Sequence, residues 1–317
     1  MTHQGSSLLS CGLEDDRNFE LEDYQGGVAR WCAGCGDHSI LTSMQRLLEN
    51  EQLKPEQCVF VSGIGCSSRF PHYMKTYGFH GLHGRALPVA TGVKLERPEL
   101  SVFAVMGDGD CCSIGAGHWI HAIRYNIDMV ALMMDNNMYG LTKGQTSPTT
   151  PEQFPSKTQP KGSYLRALNP LAVTLGVTNA SFVAQTAEWV PAHLYETLAA
   201  AYRHRGFAFV RILQRCPIFT ASLYQEAVRT PSVVELLVHD DGVHVPDLDP
   251  IYEHRLVHDP SNLHEARRLA DTNDRIRLGV FYKNPSAPRY EELRRLPAHT
   301  AEERVALLNE ELDRYAV

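Results

Sequence analysis

Two segments of the sequence end apolar runs in glycines and oxygen-bearing side chains. One is Val105-Met106-Gly107-Asp108-Gly109-Asp110, and the other is Met134-Asp135-Asn136-Asn137-Met138-Tyr139-Gly140. An Asp, an Asn and a backbone carbonyl are hard oxygen ligands that suit Mg²⁺, with phosphate and water at the remaining positions. Glycines let a backbone approach a diphosphate closely. A helix starting after Asp110 turns its free amides toward that group. Either segment alone reads equally well as a tight turn with a helix-capping Asp or Asn. The pairing of Asp108 with Asn136, 28 residues apart, is harder to explain as two unrelated turns.

Eight cysteines raise a second question. Cys32 and Cys35 form a C-x2-C pair just ahead of a helical pattern. That spacing leaves zinc, a redox dithiol or an iron–sulfur cluster open. A closed site needs two more ligands. Cys66 sits in the glycine turn after an apolar run, and Cys216 follows the run Phe207 to Leu213. In a parallel sheet both fall at the strand ends that carry the diphosphate turn. Cys11 reads as a surface thiol, Cys58 as a core residue, and Cys111 and Cys112 as packing residues at a helix start.

The elements that must position these groups are legible in the pattern. The chain has 317 residues, 43% hydrophobic and 21% charged, enough for a sizeable core. Its net charge of −7 gives no support to a nucleic-acid or anionic-membrane surface. No signal peptide and no spanning stretch of about 20 apolar residues is visible, so a cytoplasmic, thiol-reducing setting is expected. Apolar runs at Cys58–Ser62, 101–106, 129–134, 181–185 and 207–213 alternate with helical patterns at 37–50, 114–125, 169–176 and 188–204. That alternation is the signature of βαβ units and a sheet covered on both faces. The expected organisation is an N-terminal arm over 1–29, one doubly wound α/β domain over 30–220 and a C-terminal extension over 221–317. The extension holds 12 basic against 18 acidic residues, with few continuous strands, and reads as an appendage that wraps the domain or a partner. Residues 141–162 form a Pro/Thr/Gln/Lys-rich loop long enough to be functional.

Gly-Asp-Gly followed by Asn-Asn is similar to the thiamine-diphosphate motif of transketolases and related enzymes. Trp31-Cys32-Ala33-Gly34-Cys35-Gly36-Asp37-His38, Gly63-Ile64-Gly65-Cys66-Ser67-Ser68-Arg69, His83-Gly84-Arg85-Ala86, Gly107-Asp108-Gly109-Asp110 and Tyr139-Gly140-Leu141-Thr142-Lys143-Gly144-Gln145 follow in one order. Together they resemble the β subunit of 2-oxoacid:ferredoxin oxidoreductases, of the 2-oxoglutarate type. The resemblance implies a doubly wound parallel sheet of the thiamine-diphosphate-binding type. It implies Mg²⁺ on Asp108, Asn136 and the Met138 carbonyl, with Asn137 as the neighbour in register. Gly63, Ile64, Gly65, Cys66, Gly84, Gly107, Gly109, Asp110, Tyr139, Gly140, Leu141 and Thr142 would surround the cofactor, and Cys32, Cys35, Cys66 and Cys216 would hold one [4Fe-4S] cluster.

The activity so implied converts 2-oxoglutarate and CoA to succinyl-CoA and CO₂, passing electrons to ferredoxin, with the reverse, CO₂-fixing direction also open. Lys143 is placed by the resemblance to face the substrate carboxylate. Arg69 is a candidate for the distal carboxylate, its ordinary reading being a surface or subunit-contact arginine, and His83 is expected near the cofactor. Nothing outside 30–220 resembles a pyrimidine-binding domain. A partner α subunit is therefore expected to supply the glutamate that activates the aminopyrimidine, in an (αβ)₂ heterotetramer. Other readings are a pyruvate or broad 2-oxoacid enzyme, a non-redox thiamine enzyme half with zinc on the four cysteines, and a catalytically dead scaffold subunit.

Overall fold

Covering both faces of a sheet turns short apolar runs into fully buried strands, and this protein is built that way. The computed structural model describes residues 17–272, 274–294 and 300–315, so Cys11 lies outside the described residues. The strands are β1 (Cys58–Ser62), β2 (Tyr77–His80), β3 (Ser101–Gly107) and β4 (Met129–Asp135). The two-residue strands β5 (Met138–Tyr139) and β6 (Gln145–Thr146) pair as a small hairpin outside the main sheet. There follow β7 (Phe182–Ala187), β8 (Phe207–Leu213), β9 (Val234–Val238), β10 (His254–Val257) and β11 (Ile276–Lys283). The main sheet has nine strands in the order β10-β9-β11-β7-β8-β4-β3-β1-β2.

The helices are α1 (Asp37–Asn50), α2 (Ala86–Glu96), α3 (Ala116–Tyr125), α4 (Pro170–Gly176), α5 (Pro191–Arg203), α6 (Gln225–Arg229), α7 (Leu263–Asp271), α8 (Tyr290–Leu293) and α9 (Ala301–Asp313). On one face Ile40, Met44 and Leu47 of α1 and Leu194 of α5 pack on Phe60, Val105, Leu132 and Val210. On the other, Leu87 of α2, Trp119 of α3 and Leu171 of α4 pack on Val59, Ala104, Met133 and Phe209. Val59 and Phe60 point to opposite faces, as the two-residue repeat of a strand requires. The expected doubly wound α/β fold is the fold found.

Neighbouring β1, β3, β4 and β8 are all parallel, with Ser62 opposite Val105, Gly107 opposite Met134 and Asp135 opposite Leu213. Their carboxyl ends therefore lie along one edge, where open α/β sheets bind ligands. The turns carrying Cys66, Asp108, Asn136 and Cys216 all leave from that edge.

Two local expectations are corrected. Residues 221–317 supply three strands of the sheet, where the sequence reading expected few strands and an appendage. β11 pairs antiparallel with β7, and β9 and β10 run parallel to β11. Their signal is hidden because Arg277 and Gly279 interrupt the apolar run of β11 and only half of β10 is shielded. The described part of the N-terminal arm is anchored: Tyr24 is buried and its hydroxyl donates to the Leu53 carbonyl, 2.9 Å away, while Phe19 packs on the α1 face. Among the described residues no helix is long and apolar enough to cross a membrane.

Candidate active site

The turn after β1 and the turn after β3 are locked together by one carboxylate. Asp110 Oδ1 accepts from the backbone N–H of Ile64 at 3.2 Å and of Gly84 at 2.6 Å, and His83 Nδ1 lies 2.7 Å from it. Burial pushes the Asp110 carboxyl upward, and these donors pull against that shift. Gly63 is required by this approach, since a Cβ there would sit 2.0 Å from Asp110 Oδ2. Gly84 is required by its backbone, at φ +70. Asp110–Ile114 is a π-helical turn, so α3 begins at Ala116 and not at Ile114 as its apolar pattern suggested. Such wide turns concentrate at functional sites.

The turns after β3 and β4 bring two acids together. Thr149 Oγ1 lies 2.7 Å from Asp108 Oδ2 and 2.8 Å from Asp135 Oδ1. Burial, and then the charge of Asp135, push the Asp108 carboxyl up to about 7. Asp135 is answered by Arg211, whose Nη2 and Nε stand 2.6 and 2.8 Å from its Oδ2. Among the described residues no Lys or Arg pairs with Asp108. Asn136 Oδ1 accepts from the Met138 N–H at 3.1 Å, which leaves it a free lone pair. Asn137 is turned the other way: its amide donates to Thr149 O and Asp135 Oδ1, and its Oδ1 accepts from the buried Tyr224 hydroxyl at 2.7 Å.

A cavity of about 290 Å³ opens over these turns. Its wall contains Ile64, Gly65, Cys66, His83, Gly107, Asp108, Gly109, Asp110, Asn136, Met138, Tyr139, Gly140, Leu141 and Thr142, every residue that the resemblance placed around the cofactor except Gly63 and Gly84. Gly63 and Gly84 stand directly behind it through Asp110. Asn137 is not in the wall. Asp108, which no described Lys or Arg pairs with, shares this wall with Asn136 and Met138, and a carboxylate, a carboxamide and a carbonyl oxygen are a donor set that suits a divalent cation.

Cys66 belongs to this wall and to a second group. Burial pushes its thiol up to about 12, with Asp37, Cys216 and Cys32 adding to the shift. Burial raises Cys35 as well, and Asp37 and Cys66 contribute to it. The three other cysteines are thus each within electrostatic reach of Cys66. Cys32 is exposed and Cys216 buried. Among the described residues no three His, Cys, Asp or Glu side chains converge on a point that would hold one metal ion. A tetrahedral zinc needs its sulfurs about 2.3 Å from one centre. Four cysteine thiolates are the ligand set of a [4Fe-4S] cluster. Cys58 and Cys111 are buried in the core, and Cys112 Sγ contacts Met133 Sδ at 3.5 Å, as packing residues do.

Two expected substrate contacts stand apart from the cavity wall. Lys143 is exposed, two residues beyond Leu141, with φ +82. Arg69 lies over the Tyr73 ring, 5.9 Å from its centre, and is not in the cavity wall. Sequence reasoning missed Asp135, Thr149, Arg211 and Thr220, whose hydroxyl donates to the Asn136 carbonyl at 3.0 Å. Arg211 had a visible signal, a charge inside the apolar run Phe207–Leu213. Thr149 had only its place in the long loop.

Residues 63–212 match the family model for the thiamine pyrophosphate enzyme C-terminal, TPP-binding domain. Residues 247–297 match that for the C-terminal part of the pyruvate ferredoxin oxidoreductase beta subunit. The chain is 41% identical over 293 residues to the 2-oxoglutarate oxidoreductase subunit KorB of Mycobacterium tuberculosis, covering 84% of this chain and 78% of that one. It is 38% identical over 269 residues to the 2-oxoacid:ferredoxin oxidoreductase subunit beta of a Sulfolobus species, covering 83% and 84%. A solved 2-oxoglutarate:ferredoxin oxidoreductase from Magnetococcus marinus, with 2-oxoglutarate, coenzyme A and succinyl-CoA bound, superposes with a TM-score of 0.76 at 35% identity, over 93% of this chain and 97% of that one.

Proposed function

The chain belongs to the β subunits of the 2-oxoacid:ferredoxin oxidoreductases, and from that premise we propose that it is the cofactor-binding half of a 2-oxoglutarate:ferredoxin oxidoreductase. The reaction is 2-oxoglutarate plus CoA to succinyl-CoA and CO₂, with two electrons delivered to ferredoxin. One observation carries this reading: Cys66 lies in the wall of the cofactor cavity and within reach of the three other cysteines. Carbon chemistry and one-electron transfer can then occur at adjoining sites.

Bound thiamine diphosphate supplies the carbon nucleophile for decarboxylation, and a [4Fe-4S] cluster supplies a one-electron acceptor. Asp108, Asn136 and the Met138 carbonyl would hold Mg²⁺ on the diphosphate. Asp110 fixes the Ile64 and Gly84 amides so that the turn after β1 keeps its shape. His83 is held by Asp110 at the cavity wall, where it can orient the cofactor or substrate. Lys143, exposed in the loop two residues beyond Leu141, would meet the C1 carboxylate, and Arg69 the distal one. Cys32, Cys35, Cys66 and Cys216 would ligate the cluster, with exposed Cys32 on the side open to ferredoxin.

An α subunit completes the site by supplying the pyrimidine-activating glutamate, in an (αβ)₂ assembly in the cytoplasm. Exposed Leu82, Ile114 and Leu141 adjoin or line the cavity and give that partner an apolar seat. The reverse, CO₂-fixing direction uses the same residues when ferredoxin is kept reduced.

The test is anaerobic copurification with the partner chain. Ferredoxin reduction that requires both 2-oxoglutarate and CoA, with about four irons and four sulfides per β chain, is expected. Pyruvate turning over equally well broadens the substrate. One zinc and no sulfide removes the redox reading.

A further inference from the structure

We propose that Gln214 donates a hydrogen bond to the Cys35 sulfur and thereby raises the reduction potential of the iron–sulfur centre. The inference rests on the reading of the four cysteines as cluster ligands.

Gln214 is the first residue after β8. Its backbone N–H donates to the Asp135 carbonyl at 3.0 Å, which ties it to the end of β4. The residue is 1% exposed. Its Nε2 lies 3.2 Å from Cys35 Sγ and 2.6 Å from the Arg215 carbonyl oxygen. Both neighbours are acceptors, so the amide end between them must be the NH₂. The opposite orientation would set a carbonyl oxygen against a carbonyl oxygen and a sulfur. Among the described residues this is the one side-chain N–H within hydrogen-bonding reach of any of the four sulfurs.

Reduction places extra negative charge on a cluster and its cysteine sulfurs. A fixed donor to one of those sulfurs favours the reduced state, and hydrogen bonds to sulfur are among the determinants of cluster potential. Burial strengthens the effect by removing competing water. Gln214 is uncharged, so it does this without adding a proton-linked step. It also lies on one short stretch between two turns: Asp135, beside the Mg²⁺ carboxylate, holds its backbone, and its side chain reaches the cluster cysteine. The contact geometry at the sulfur is therefore set by the same strand end that shapes the cofactor cavity.

The experiment uses the αβ complex, purified anaerobically, with wild-type chain, Gln214→Leu and Gln214→Met. Both variants fill the space without a donor. Iron and acid-labile sulfide are measured first, and the midpoint potential is then read by EPR-monitored redox titration. The expected result is full iron and sulfide in all three proteins. Both variants should have a lower midpoint, corresponding to about a tenfold change in the oxidised-to-reduced ratio at fixed potential, about 59 mV for a one-electron couple. Resonance Raman bands of the iron–cysteine stretches should shift as well. Unchanged midpoints with intact clusters overturn the role of Gln214 and leave the cluster reading standing. Loss of the cluster from both variants makes Gln214 a purely structural residue and also overturns the proposal. Wild-type complex without iron and sulfide removes the cluster reading itself.

Discussion

Asp108 and Asp135 meet across a single hydroxyl, that of Thr149, 2.7 Å from one carboxylate and 2.8 Å from the other. One hydroxyl carries one hydrogen, so only one of the acids can receive it at a time. Arg211 settles which acid is spoken for: it clamps Asp135 with two donors. Asp108 is left as a buried carboxylate without a cation. The pair therefore divides into an acid held by Arg211 and one left free for the proposed Mg²⁺.

Replacing each acid separately should expose that division. Asp108→Asn removes like-charge repulsion, so the metal-free chain should unfold at the same or higher urea concentration. Its Mg²⁺-dependent retention of thiamine diphosphate should fall by at least about 100-fold, the upper end of what losing a mere outer-shell partner costs. Asp135→Ala strands the Arg211 guanidinium in the core and should cost about 3–5 kcal/mol in denaturant unfolding. Equal destabilisation by both variants would refute the assignment.

The cysteines make a second division. Cys32→Ser, Cys35→Ser, Cys66→Ser and Cys216→Ser should each lower iron and sulfide content of the anaerobic complex. Cys58→Ala and Cys111→Ala should keep both, because these thiols are buried among the apolar side chains of the core. Full iron in the Cys66 variant would remove the link between the cavity and the cluster.

Gly63 is a test of the scaffold behind the cofactor. Gly63→Ala places a methyl 2.0 Å from Asp110 Oδ2, so Asp110 must swing away and release the Ile64 and Gly84 amides. The loss of these charge-assisted bonds, about 1.5–3 kcal/mol each, predicts at least about a tenfold fall in cofactor affinity with unchanged far-UV circular dichroism. Titration of the apo complex with thiamine diphosphate, followed by tryptophan fluorescence, measures it.

Substrate choice divides Lys143 from Arg69. A lost hydrogen bond to a carboxylate, about 1.5–3 kcal/mol, corresponds to a fall of about 10- to 150-fold in kcat/KM. Lys143→Ala should show that fall for both 2-oxoglutarate and pyruvate, since both carry the C1 carboxylate. Arg69→Ala should lower only 2-oxoglutarate. An unchanged 2-oxoglutarate-to-pyruvate ratio would return Arg69 to its contact over the Tyr73 ring.

How far the sequence discloses the site depends on the range of the interaction. Gly107-Asp108-Gly109-Asp110 and Asn136 are legible because short turns at parallel strand ends constrain residue types locally, and these residues do line the cavity. Asp135 and Arg211 are 76 residues apart and meet only because β4 and β8 are adjacent. No local pattern encodes that adjacency. The same holds for the fold: β1, β3 and β4 are continuous apolar runs and β8 is broken only by Arg211, whereas β9 and β10 carry charged residues and β11 both charged residues and a glycine, so that they read as irregular chain. Thr149 is invisible for a third reason, since a threonine in a proline-rich loop carries no signal until the loop folds over two acids.

His193 gives a pH prediction outside the candidate site. Its Nδ1 lies 2.9 Å from the Thr186 hydroxyl, its Nε2 is buried without a partner, and burial lowers its pKa to about 4 from 6.5. His204 is lowered to about 4 chiefly by burial as well. Between these limits the unfolded chain binds a proton that the folded chain refuses, so this contribution to stability is full above 6.5 and is lost as pH falls toward 4. At about 1.4 kcal/mol per pH unit the contribution of His193 is at most roughly 3 kcal/mol. In the metal-free chain Asp37 and Asp108, both raised to about 7 chiefly by burial, act with the opposite sign, since their folded forms hold protons that the unfolded chain releases. The net slope therefore does not isolate the histidine, but a comparison does. His193→Gln keeps a polar partner for Thr186 and cannot titrate. Urea unfolding of both proteins at about pH 7 and about pH 5 should show the variant losing less stability on acidification, by roughly 1–2 kcal/mol. Identical losses would mean that the histidine is protonated inside the fold.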